Sequence, residues 1–126
     1  MTHETHLCLS AHDELYLIDL DKVLYLQADD HYTDVHYVTG THFLVPFGLI
    51  RIEALLATTD SDRFCLQRLG RKYIVNMRRI FRINTVRETL SLVDDLGSNI
   101  SLHIPKPILR SLIDNMKNPS HEDNLS

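Results

Sequence analysis

Tryptophan is absent from this 126-residue chain, and cysteine, glycine and proline are scarce at two, four and four copies. Each shortage excludes something. Cys8 and Cys65 lie far apart with no CxxC spacing, so neither a disulfide scaffold nor a thiolate metal knuckle is available, and the pair reads as two reduced thiols of a cytoplasmic protein. Few glycines and prolines rule out a collagen-like or low-complexity chain. Only the end, NPSHEDNLS, has a loose character, and residues 117–126 are expected to form a flexible tail. No segment approaches the ~20 apolar residues of a membrane span, and MTHETHLCLSAHDELYLI has neither a basic leader nor the apolar stretch of a signal peptide. G-x-S-x-G, a phosphate loop and any catalytic pair fixed by spacing are also missing, so no enzyme, cofactor or small-molecule substrate is expected.

What is present is strand-like alternation. Leu7 to Leu9, Leu15 to Ile18 and Val23 to Gln27 read as three strands, with Asp19 to Lys22 a polar turn between the last two. Thr33 to Val38 and Thr41 to Val45 flank Thr39 and Gly40, a hairpin signal. Leu49, Ile52, Leu55 and Leu56 recur at helical spacing and predict a short helix over residues 49–57. Beyond the polar turn at Asp60 to Asp62, strands are predicted at Phe64 to Arg68, Arg79 to Asn84, Thr89 to Val93 and Ile100 to Ile104, with a turn near Asp95 to Gly97. A last helix fits Pro107 to Met116, with Pro107 at its first position and Ile108, Leu109, Leu112, Ile113 and Met116 on one face. At this length the chain makes one domain that buries roughly two-thirds of its unfolded surface. It is mainly β and antiparallel, with two short helices.

The charge is unevenly placed. The formal net charge is −4, but residues 1–62 carry eleven acids against two bases, and residues 63–87 carry eight bases and no acid. Such a separation points to a polyanion-binding face on an acidic body, although basic runs also occur as plain solvated surface.

Within that segment lies QRLGRKYIVNMRRIFRI, preceded by YLQADDHYTDV and LIRIEALL and followed by IPKPIL. These four pieces, in this order and spacing, resemble the LytTR-type DNA-binding domain, the mainly β output domain of many bacterial response regulators. The resemblance runs from about Leu15 to Met116, so residues 15–116 are expected to form the DNA-binding domain and residues 1–14 an extension. It implies an elongated set of about ten short strands in small antiparallel sheets that places loops, not a recognition helix, in successive major grooves. It also implies a bacterial transcription regulator acting on double-stranded DNA, with two protomers reading an imperfect direct repeat as a homodimer on DNA. The loops facing the duplex would be residues 29–34, 68–72 and 104–107.

Physical roles follow residue by residue. Gly70 permits a turn that projects Arg71 and Lys72; a guanidinium can bridge guanine O6 and N7, whereas an ammonium serves phosphate as a point charge. Arg71 is therefore the first candidate for base reading, and Lys72 for backbone positioning, with Arg68 beside them. Lys106, between Pro105 and Pro107, stands at a helix start whose free N–H groups suit an anion. Relatives usually carry a Val-Ser-Arg-like step there, so the lysine here replaces a forked donor. In the first loop Thr33 and His31 are the candidates, while Asp29 and Asp30 either select cytosine N4 or cap the turn. Tyr73 to Asn76 read as structural, with Asn76 starting a turn. Arg78 and Arg79 follow that turn and either touch phosphate or stay solvated. Many relatives have histidine, a basic or polar residue, then serine where this chain has Gly70, Arg71 and Lys72, so its preferred sequence cannot be copied from them.

Eight histidines raise the question of a metal. A two-residue turn at Thr39 and Gly40 places His42 opposite Tyr37 and points His36 to the other side, so no metal site is expected. A protein-interaction or RNA-binding β module is the alternative use of the basic face. It is disfavoured because Phe64, Tyr73 and Phe81 read as mostly buried. The fourteen residues before Leu15 are too few for a receiver domain, so control is expected from expression level, a partner or self-association.

Overall fold

The computed structural model describes residues 5–59 and 64–117; the turn at Asp60 to Asp62, Arg63 and the tail from residue 118 lie outside the described residues. Alternating apolar positions build ten strands among the described residues, all paired antiparallel. Strands β1 (His6–Ala11) and β2 (Glu14–Asp19) form a hairpin. A five-stranded sheet follows, containing β3 (Val23–Asp29), β4 (Tyr32–Tyr37), β5 (His42–Val45), β6 (Leu66–Leu69) and β7 (Tyr73–Asn76) in the order β5-β4-β3-β7-β6. A three-stranded sheet has β9 (Thr89–Val93) between β8 (Ile80–Asn84) and β10 (Asn99–His103). Helix α1 (Leu49–Leu56) follows β5, and α2 (Lys106–Met116) ends the described chain. This is the expected architecture of small antiparallel sheets with two short helices.

Two differences in detail have local causes. The polar stretch Leu20–Lys22 is a single 3-10 turn, capped by the Asp19 carboxylate accepting from the Asp21 N–H at 3.2 Å. Helix α2 begins one residue early because Pro105 serves as the N-cap.

The five-stranded sheet is buried on both faces at its centre, so β3 shows four consecutive buried residues, Val23 to Leu26, and not a clean alternation. A register irregularity between Val23 and Tyr25 shifts the pattern. On one face Val23, Leu26, Val35 and Ile74 pack with Leu7, Leu9 and Ile18 of the first hairpin and with Leu49, Ile52 and Leu56 of α1. Strand β1 therefore contributes to the core. On the other face Leu24, Tyr25 and Val75 pack with Leu90, Leu92 and Leu102 of the small sheet and with Leu109 and Leu112 of α2. Full burial of each such leucine stabilises by about 1.5–3 kcal/mol. Met116, expected on the buried face of α2, is exposed at the helix end, where it borders a shallow hollow with Ile80 to Ile83 of β8.

The β4–β5 connection departs from expectation. His36 pairs directly with His42, and the Tyr37 N–H donates to the Thr41 carbonyl at 2.8 Å, so the ladder stops earlier and the loop is longer than two residues. The two histidines consequently share a face, which corrects the reading that set them on opposite sides.

Candidate nucleic-acid interface

The sheets place their loops at two ends. At the near end β3 stops at Asp29 and turns through Asp30, with φ +58°, and His31 into Tyr32. The loop at residues 70–72 lies beside it, because the Ala28 N–H donates to the Lys72 carbonyl at 2.8 Å. Across from that loop the chain leaves β10 and enters α2. A cleft of about 340 Å³ separates the two, lined by Leu69 to Tyr73 on one side and His103 to Pro105 and Ile108 on the other. Burial raises the Tyr73 hydroxyl above the ordinary tyrosine range, so it stays a protonated donor in that cleft.

The central loop is held from behind. Gly70 has φ +73°, a left-handed conformation that favours glycine, and a Cβ there would lie 2.9 Å from Ile108 Cδ1, the flexible tip of an α2 side chain that would have to shift. Arg68 donates from Nε to the Gly70 carbonyl at 2.8 Å and from Nη2 to the Arg71 carbonyl at 3.2 Å. Its Nη1 pairs with Glu53 Oε1 of α1 at 2.6 Å. Arg68, expected beside the reading loop, thus spends its guanidinium on Glu53 and on the backbone that carries its neighbours. Arg71 and Lys72 are exposed, and neither side chain meets an acid among the described residues.

The third loop is braced by a residue the sequence did not single out. Glu88, in a left-handed turn with φ +56°, accepts the Lys106 N–H on Oε2 at 2.9 Å, while its backbone carbonyl accepts the Ile104 N–H at 3.0 Å. This removes the expected open helix N-terminus. Pro107 has no N–H, and the Ile108 and Leu109 N–H groups donate to the Pro105 carbonyl, so Lys106 offers its exposed ammonium and not its backbone. Arg87, exposed in the same turn as Glu88, joins this loop. Its signal was a cation next to a turn; its position depended on pairing between β9 and β10.

Other expected residues fall elsewhere. Thr33 is fully buried, and its hydroxyl donates to the Phe47 carbonyl at 2.7 Å, so it does not face solvent at all. The exposed groups of the first loop are Asp29, Asp30, His31 and Tyr32, and His31 Nε2 stands 3.7 Å from Asp30 Oδ1. Arg78 and Arg79 lie at the far end of the same sheet, beyond Asn76. The Asn76 side chain starts their turn by accepting the Arg78 N–H at 3.0 Å and donates to the Val23 carbonyl at 2.9 Å. Arg79 pairs with Asp95 at 2.8 Å. The structure thus brings together His31, Arg71, Lys72 and Lys106, and separates from them Thr33, Arg78 and Arg79. Of the aromatics, Phe64 is buried and Tyr73 half-buried, whereas Phe81 is exposed on β8, away from the loops.

No helix among the described residues is long and apolar enough to cross a membrane. No curated protein matches the chain. Among solved structures, the LytTr DNA-binding domain of a putative methyl-accepting/DNA response regulator from Bacillus cereus is similar, with a TM-score of 0.57 and 25% identity over 86% of this chain and 93% of that one. The model of the LytTr DNA-binding domain family matches residues 13–113, which takes in the first loop, the braced central loop and the start of α2. This chain therefore belongs to the LytTR family of DNA-binding domains.

Proposed function

We propose that the protein is a transcription regulator that binds double-stranded DNA through its near-end loops, with residues 15–116 as the binding unit. Arg71 reads a base edge in the major groove, Lys72 and Lys106 hold phosphates, and His31 adds a contact from the first loop. The observation that carries this reading is the central loop. Two exposed cations without an acid partner among the described residues stand on a Gly70 turn whose carbonyls are held by Arg68, which suits a pre-organised contact. Two protomers on an imperfect direct repeat complete the proposal, with affinity drawn largely from counterion release.

The test compares a labelled duplex with single strands of equal length at two salt concentrations. Tighter duplex binding that falls steeply with salt is the expected result. A preference for the single strands would move the reading to an RNA-binding module. Selection from a random duplex pool then gives the preferred sequence, and failure to enrich any sequence would contradict base reading.

A further inference from the structure

On its second face the five-stranded sheet packs against the small sheet and α2 through Leu24 and Tyr25 of β3, Leu69 of β6 and Val75 of β7. Beyond that cover, β4 presents Asp34 and His36, two residues apart and so on one face, and β5 presents His42 directly opposite His36. Asp34 Oδ2 lies 3.1 Å from His36 Nε2, and Asp34 Oδ1 lies 3.2 Å from His42 Nδ1. One donor atom from each of the three residues falls within 4.8 Å of the others. The geometry points to a binding site for a single borderline divalent cation, zinc in the first place, with Asp34, His36 and His42 as its protein ligands.

Three observations support it. Imidazole and carboxylate are the donors that suit zinc and its neighbours, while a calcium or magnesium site would be built from oxygen alone. Donors at zinc bond lengths stand about 3.3 Å apart in a tetrahedral shell; each histidine already lies near that distance from one oxygen of Asp34, a further closing of the 4.8 Å set would complete the shell, and three protein ligands leave a fourth position for water. His36 Nε2 is buried with the Asp34 carboxylate 3.1 Å away as its one close polar neighbour among the described residues and makes no well-formed hydrogen bond there, whereas buried polar atoms of this kind ordinarily have a partner.

The rings also constrain how a cation is taken. His36 is sandwiched between Tyr25, at 4.2 Å and 9°, and His42, at 4.8 Å and 5°. Stacked imidazoles direct their lone pairs in parallel, so the exposed His42 ring turns out of the stack for its lone pair to converge on the ion.

The experiment titrates the chelator-treated full chain with zinc by calorimetry, and with cobalt as a spectroscopic substitute, in parallel with His42→Ala and Asp34→Asn. His42 is exposed, so its replacement leaves the core intact. One equivalent of zinc, an intense tetrahedral cobalt spectrum, and at least about tenfold weaker binding in both variants are expected. Absence of wild-type binding overturns the site. Unchanged binding in His42→Ala also overturns it, because the ion then sits on other histidines such as His6 or His12.

Discussion

The two ends of the sheets draw on one acid-free stretch of sequence and use it differently. At the near end Arg71, Lys72 and Arg87 stand exposed without acid partners among the described residues, on loops held by Arg68, Gly70 and Glu88, and Lys106 joins them from outside the stretch. At the far end Arg79 is paired with Asp95, Lys22 approaches Asp19 at 3.9 Å, and the Asp95 N–H ties the turn to the Val38 carbonyl. Arg78 is exposed there, but its neighbours are these acidic turns. A basic run is one object in sequence and two in space, because β7 carries the chain from one end of the sheet to the other between Lys72 and Arg78. Charge along the chain reports a capacity to bind polyanions; strand direction decides which charges can act together.

Substitutions at the two ends should therefore behave unlike each other. The largest effect is expected for Arg71→Ala, a loss of about 1–3 kcal/mol on the selected duplex with relaxed preference at one base position, read by fluorescence anisotropy on single-base variants. Equal losses on selected and random duplexes would remove its base-reading role. Arg68→Ala should lower folding stability by about 1–3 kcal/mol, because it frees two carbonyls and Glu53, and should weaken DNA binding with the salt slope unchanged. Urea unfolding and salt titration separate those two effects; a reduced salt slope would make Arg68 a direct phosphate contact. Lys72→Ala and Lys106→Ala should each weaken all duplexes nearly equally and reduce the salt slope by about one unit.

The smallest effects concern the acids. Asp13 lies in the β1–β2 turn and Glu14 opens β2; both line a hollow with Tyr32 of the first loop, whereas Asp19 and Asp21 lie at the far end. Asp13→Asn with Glu14→Gln should raise random-duplex affinity by a few tenths of a kcal/mol, roughly the size of an exposed charge interaction. Asp19→Asn with Asp21→Asn should leave it unchanged. A rise in both pairs would mean that net charge matters and not its position.

Much of the fold was legible because period-2 alternation, the helical spacing of Leu49, Ile52 and Leu56, and turn residues all agree locally. The candidate site's geometry was legible where a local signal sufficed, as at the Gly70 turn that leaves Arg71 and Lys72 exposed. It was not legible where a side chain answers to a distant backbone. Thr33 is committed to the Phe47 carbonyl fourteen residues on, Arg68 to Glu53 fifteen residues back, and the Lys106 N–H to Glu88 eighteen residues away. The relation of His36 to His42 was missed for a different reason. The hairpin signal at Thr39 and Gly40 was real, but the ladder ends earlier, and register sets which side chains meet.

The most direct measurement compares Arg71→Ala/Lys72→Ala with Arg78→Ala/Arg79→Ala on one random duplex, by anisotropy at two salt concentrations. The near-end pair should lose most of the affinity and reduce the salt slope by about two units, while the far-end pair stays close to wild type. Equal losses from the two pairs would contradict the division of the basic segment between a binding end and a structural one.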